Sequence, residues 1–358
     1  MKSYIPEKIM RMKEYVPDTS DPMIKLDANE CPYPTPAAVL EAINKGIDFE
    51  TLNRYPDPDM KVLLASYGRH VGVPADRLVA GDGSDELIAL IINTFLCDGG
   101  KILICEPDFS MYAFYSEFSG CDIVRYRKKD GMDIDFAEMK AVIEENDVKL
   151  VLFSNPCNPT GEMNTAKEIM SLVDGCDALF VIDEAYMEFA HVDQSVIGMT
   201  ESRENLIVLK TVSKIGLAGL RCGFAISNKE LIAALKKTKS PYNLNSITQK
   251  AVSVAIDHYS EIAKNVEIVR GITDYMYDAF VSLDEDLGFE IRQSNANFVY
   301  LRFKEEGAAA KLHSYLKDEE ISVRLMGNNL RITAGTEHEV NVLEYWLKKY
   351  RDNGGKAK

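Results

Sequence analysis

The sequence predicts an α/β protein: a mostly parallel β-sheet covered by helices on both faces, with a smaller α/β unit towards the C-terminus. From about residue 60, short apolar runs alternate with stretches of helical period, which is the pattern of βαβ units. Beyond residue 290 that rhythm gives way to a strand, a helix and two further strands. At 358 residues the chain is long for one core, so two packed units are expected.

In chain order, residues 1–35 are polar and proline-rich, and DANECPYPTP reads as an extended arm lying on a body formed elsewhere. RYPDPD (54–59) is an exposed turn. Helices are expected over 59–70, 84–96, 109–119, 135–146 and 165–174. KILIC (101–105), DIVRY (122–126), KLVLF (149–153), ALFVID (178–183) and NLIVLK (205–210) are the strands between or after them. Residues 228–282 are helical in pattern, including one long amphipathic stretch over 246–280. FVYLRF (298–303), a helix at 307–318, ISVRL (321–325) and LRITAG (330–335) form the smaller unit, which should combine with the arm. The expected division is an arm with part of the small domain (1–50), a large domain (51–250) and a small C-terminal domain (251–358).

Composition narrows the function. A net charge of −15 and a pI of about 4.9, with no basic stripe, argue against a nucleic-acid binder. The longest apolar runs are far short of a membrane span, and MKSYIPEKIMRMKEY lacks a signal-peptide core. Seven cysteines without regular spacing read as free thiols in a reducing compartment, and no Cys/His cluster has metal-site spacing. A soluble, cytoplasmic, metal-independent protein is expected.

Four motifs carry chemistry, and three of them follow predicted strands, where ligands of parallel sheets gather. In NLIVLKTVSKIGLAGLRCGF (205–224), Lys214 sits in a glycine-containing loop between two buried runs. Thr211 and Ser213 precede it and Arg221 follows, which suggests an amine nucleophile beside an anion site. A solvated loop lysine is the plainer reading, but small neighbours admit a ligand close to the backbone. VIDEAY (181–186) ends a buried run on Asp183, costly unless paired, so either a counter-charge for a bound cation or a cap for the next turn. Tyr186 would share its side if a helical turn follows. SNPCNPTG (154–161) is a doubly proline-stiffened loop able to hold the Asn158 amide over a ligand. GDGSDELI (81–88) places glycines before a helix, an anion site in principle, although simple capping by Ser84 or Asp85 is favoured from this motif alone.

Together with LDANECPYPTP (26–36), RYPDP (54–58), PDFSMY (107–112), SPYNLNSITQ (240–249) and LRITAGT (330–336), these motifs resemble the fold-type I aminotransferases that use pyridoxal phosphate (PLP), and within them the histidinol-phosphate group. The resemblance runs from about residue 10 to 350. It implies that Lys214 binds the cofactor aldehyde and shuttles the proton. Asp183 would pair with the ring nitrogen, Asn158 and Tyr186 would bond the ring oxygen, and Phe109 would stack on the ring in place of a tyrosine. The phosphate would rest on Ser84, Asp85, Thr211, Ser213 and Arg221, reached by Tyr55 of a neighbouring subunit in a homodimer. Arg331, Arg324 and Tyr15 would bind the substrate anion. The implied substrates are glutamate or 2-oxoglutarate and a phosphorylated amine, exchanged by a ping-pong route. Within the fold, an aromatic or other amino-acid aminotransferase and threonine-phosphate decarboxylase are the rival readings. A PLP-binding protein without catalysis is a more distant one.

Overall fold

Runs of β-branched and aliphatic residues become strands here wherever both of their faces are covered. The computed structural model describes residues 4–12, 14, 22–47 and 52–355. Its strands are β1 (Ile24–Leu26), β2 (Leu78–Asp82), β3 (Lys101–Glu106), β4 (Asp122–Arg127), β5 (Val148–Ser154), β6 (Leu179–Asp183), β7 (Leu206–Thr211), β8 (Cys222–Ile226), β9 (Phe289–Ile291), β10 (Phe298–Phe303), β11 (Ile321–Met326) and β12 (Asn329–Thr333). A seven-stranded sheet has the order β2-β8-β7-β6-β5-β3-β4. From β7 to β4 it is parallel, while β8 runs antiparallel to both β7 and β2. The reversal follows from connection length: a ten-residue loop joins β7 to β8 without a crossover helix, and parallel pairing needs one.

Every residue of β7 and β8 is buried, as expected of central strands between two helical layers. Alternate residues feed two apolar clusters, Ile207 and Leu209 on one face, Leu206 and Val208 on the other. At the far edge β4 is mostly exposed and carries Arg125 and Arg127, charges that discourage pairing with another edge.

The five helices expected within residues 59–174 occur as Lys61–Val71, Gly83–Phe95, Met111–Ser119, Phe136–Asn146 and Ala166–Val173. The 246–280 stretch is not one helix. It breaks at His258, whose φ of −111° and ψ of 25° are not helical, into Ser246–Asp257 and Tyr259–Val281, a break the shared apolar period conceals. β2 was not foreseen, being short and merging into the glycine-rich motif that follows it.

A second sheet has the order β1-β11-β12-β10-β9. Its β1 comes from the N-terminal arm and pairs in parallel with β11, Leu26 opposite Val323. The arm is therefore stitched into the C-terminal sheet by backbone hydrogen bonds. That brings residues 27–30 over the carboxyl ends of β5, β6 and β7.

Candidate active site

Because β8 runs backwards, its first residue lies beside the last residues of β7 and β2, with Cys222 opposite Asp82 and Gly223 opposite Thr211. Residues 205–224 are thus a strand, a tight turn and a returning strand at the sheet's carboxyl edge. The turn Ser213–Leu217 closes on Gly216 at φ 99°, and Arg221 adopts a left-handed φ of 46° before β8. Lys214 stands half-buried at the centre. Its Nζ lies 5.8 Å from the centre of the Tyr186 ring. Among the described residues, no carboxylate lies within ion-pair distance of that amine.

A cavity of about 190 Å³ opens here, and Lys214, Asp183, Tyr186, Asn158, Phe109, Ser84, Asp85, Thr211, Ser213 and Arg221 all line it. It adjoins a larger space of about 480 Å³ towards the small sheet, where Arg324 and Arg331 face the same Lys214, Tyr186 and Asn158.

Asp183 ends β6, buried. Tyr112 donates its hydroxyl to Oδ2 at 2.8 Å, and the Ala185 N–H donates to Oδ1 at 3.1 Å. The turn-capping reading is thus met in part, but it accounts for one weak bond. Burial pushes the carboxyl pKa up to about 6 against those two hydrogen bonds, and the carboxylates of Asp108 and Asp85 add to the rise. Among the described residues no cation lies within ion-pair distance of it, which suits a carboxylate able to take a cationic ligand.

Two donors face the cavity from the opposite wall. Asn29 Nδ2 donates to the Tyr186 hydroxyl at 2.8 Å, leaving the phenolic proton to point elsewhere. Arg331 Nη1 donates to Asn158 Oδ1 at 2.6 Å, which turns the Asn158 NH₂ outward as a donor. The second Arg331 arm donates to the Asp27 carbonyl at 2.6 Å. Across the strand pair Arg324 sits opposite Arg331, so both arginines issue from one face of the small sheet.

The anion end is built from the helix Gly83–Phe95. Capping by Ser84 or Asp85 does not occur: both lie inside the first turn, and the N-cap Asp82 makes no side-chain cap bond. The Gly83 N–H is taken by the Arg221 carbonyl at 3.0 Å, which leaves the Ser84 and Asp85 N–H groups for a ligand. A Cβ on Gly223 would come within 2.6 Å of the Ser84 nitrogen, so only glycine lets this helix end approach the sheet. Gly83, at φ 73°, makes the same close approach to the Arg221 guanidinium. Arg221 is held by Asp85 at 3.2 Å, and Thr211 Oγ1 lies 2.9 Å from Ser213 Oγ.

Tyr55 is not part of the cavity. It is 81% exposed and stacks on Tyr242, ring centres 4.6 Å apart. Tyr15 lies outside the described residues. Sequence reasoning missed Tyr112, three residues after Phe109 at the start of a helix, a spacing that could have found it. It also missed Asn29, which also bonds Thr333 and Asn297. Only the folding of the arm brings Asn29 to Tyr186.

A buried carboxylate and an amine lining one cavity, neither with an ion-pair partner among the described residues, together with a flat aromatic wall and a helix N-terminus beside an arginine, fit the ring, aldehyde and phosphate of PLP. On a largely parallel seven-stranded sheet, this arrangement defines a PLP-dependent transferase of fold type I. Comparison narrows the class: residues 21–347 match the model of aminotransferase class I and II, and the chain belongs to that family. The chain is 33% identical over 344 residues to a histidinol-phosphate aminotransferase of Clostridium kluyveri, covering 93% of this chain and 96% of the relative. Among solved structures, the histidinol-phosphate aminotransferase of Sinorhizobium meliloti, in complex with pyridoxal-5'-phosphate, superposes with a TM-score of 0.89 at 22% identity over 99% of each chain. That of Clostridium acetobutylicum superposes at 0.83 and 24% identity, covering 92% of this chain and all of that one. Both likenesses speak for the fold.

Proposed function

We propose that this aminotransferase moves an amino group between histidinol phosphate and 2-oxoglutarate, in histidine biosynthesis. The observation that carries the reading is whole-length identity of 33% to relatives named for that reaction, joined to a cavity that leads to two arginines on one strand pair. When bound, PLP supplies the aldehyde that takes up the amino group and the ring that accepts electrons as the substrate Cα–H bond breaks.

The chain's own residues do the rest. Lys214 would hold the aldehyde carbon through Nζ and carry the proton to and from the substrate Cα. Asp183 would keep a proton on the ring nitrogen, an interaction strengthened by burial. Tyr186 and Asn158 would donate to the ring oxygen, and Phe109 would cover the ring face. Arg221, the Ser84 and Asp85 N–H groups and the Thr211 and Ser213 hydroxyls would hold the phosphate, the arginine by charge-assisted bonds. Arg331 and Arg324 take the anionic end of either substrate, since a planar guanidinium suits carboxylate and phosphate alike. Tyr15 would join them from the arm.

We further infer a homodimer in which Tyr55, exposed here, reaches the partner's phosphate site. The inferred division into an arm (1–50), a large domain (51–250) and a small domain (251–358) puts the two sheets in separate domains. All seven cysteines are free, which supports a reducing cytoplasm. Among the described residues no helix is long and apolar enough to cross a membrane.

The test is glutamate formation by PLP-loaded protein from histidinol phosphate and 2-oxoglutarate. The expected kcat/KM exceeds that for phenylalanine at least about a hundredfold. Equal rates with aromatic amino acids, or carbon dioxide released from threonine phosphate, would move the protein to another branch of the fold.

A further inference from the structure

Beside the cavity, at the ends of β3, β4 and β5, lies a buried ionic cluster that no role above employs. Lys128 follows β4 and Asp108 follows β3. Both side chains are 1% exposed, with Lys128 Nζ 3.7 Å from Asp108 Oδ2. The ammonium also donates to Cys157 Sγ at 2.8 Å. Three donors converge on the carboxylate: the Phe109 N–H on Oδ1 at 2.8 Å, the Ser154 hydroxyl on Oδ1, and the Ser154 N–H on Oδ2 at 3.2 Å. Ser154 Oγ in turn accepts the Asn158 N–H at 3.1 Å. One carboxylate thus governs the backbone of Phe109 directly and that of Asn158 through a single hydroxyl.

Burial pushes the Asp108 carboxyl up and Lys128 pulls it back, while Cys157 and Asp108 hold the ammonium protonated against its own burial. Such a pair is a poor device for stability, because apolar residues of the same volume usually serve as well or better. What apolar residues cannot do is accept several convergent N–H and O–H donors at fixed directions.

We propose that Lys128 and Asp108 are positioning residues for the cofactor site: Lys128 compensates the charge of Asp108, and Asp108 sets the Phe109 wall and the Asn158 amide against the ring. This rests on the reading that PLP occupies the cavity. Neither residue lines the cavity, so their effect passes through Phe109 and Asn158.

The experiment strips the full-length protein of cofactor, reloads it with PLP at known concentrations, and records Kd, the visible circular dichroism of the bound cofactor, and the thermal midpoint of the cofactor-free chain. The variants are Lys128→Met, Asp108→Asn and the double substitution. Lys128→Met should raise Kd about tenfold and change the cofactor's dichroic band, and the double variant should recover Kd towards that of Asp108→Asn while its band stays changed. Asp108→Asn, nearly isosteric, should keep the cofactor-free midpoint within a few degrees yet change the dichroism, and it carries the test should Lys128→Met fail to fold. Unaltered Kd and dichroism in Asp108→Asn overturn the proposal, as does affinity that merely tracks thermal stability with the band unchanged. A wild-type chain that binds no PLP overturns the reading of the cavity and this inference with it, a result distinct from a loaded wild type matched by its variants.

Discussion

Asp183 and Glu184 are consecutive, both buried, and belong to opposite faces of the seven-stranded sheet. Glu184 has its partners within the chain: Ser195 Oγ donates at 2.6 Å, the Val196 N–H at 2.8 Å, and Lys210 Nζ stands 3.9 Å away while pairing with Glu188 at 2.8 Å. Asp183 has hydrogen-bond donors but, among the described residues, no cation within ion-pair distance. Burial raises both, to about 6 for Asp183 and about 7 for Glu184. Burial alone therefore does not mark a functional carboxylate. What separates the two is that the fold supplies a cation to Glu184 and leaves that position by Asp183 to a ligand.

The sharpest break in this contrast is made at the amine beside Asp183. Lys214→Ala should lower turnover at least about 10³-fold and abolish the visible band of PLP-loaded protein. Turnover retained within tenfold would remove Lys214 from its role. Next comes the pair itself: Asp183→Ala should cost about 10²–10³ in kcat while still binding PLP. Glu184→Gln should keep kcat within about threefold and instead lower stability by about 1–3 kcal/mol, because an amide cannot match the two donors and the nearby ammonium. Similar kcat losses in the two variants would erase the distinction.

A smaller effect is expected at the anion end. Arg221→Ala should weaken PLP binding about ten- to a hundredfold, seen by titrating cofactor-free protein, with substrate KM little changed once the protein is saturated. The smallest effect concerns pH. A folded pKa of about 6 against an ordinary carboxyl near 4 means that Asp183 binds its proton more tightly when folded. Its contribution to cofactor-free stability is present below about pH 4 and lost as pH rises through 6. Asp183→Asn should lack that fall, gaining a few degrees on the wild type between pH 4 and 6 by thermal melting. Glu184, unchanged in that variant, continues the same downward trend to about pH 7. A constant difference across the range would show that Asp183 does not titrate there.

Much of this architecture was legible in local pattern. The alternation of apolar runs and helical periods located β3 to β8 and the intervening helices, because burial on both faces demands continuous apolar strands. The same logic put Asp183, Asn158 and Lys214 at strand ends, and ten of the residues chosen from motifs line one cavity. Capping by Ser84 or Asp85 could not be judged that way, since a glycine-rich helix start reads alike whether a side chain or a ligand meets its N–H groups. The break at His258 was hidden for a similar reason, as two helices can share one apolar period.

By itself, then, the amino-acid order determined the sheet's composition, the strand ends where polar groups emerge, and the chemical character of those groups, all consequences of short-range periodicity and burial. The tertiary structure alone decided which polar groups meet. Asn29 reaches Tyr186 across 157 residues and Arg331 reaches Asn158 across 173, so the direction of each donor is set by pairings that no local pattern encodes. Which of two neighbouring buried carboxylates receives a lysine was settled there too, because alternate residues of a strand face different layers and each layer is assembled from distant parts of the chain.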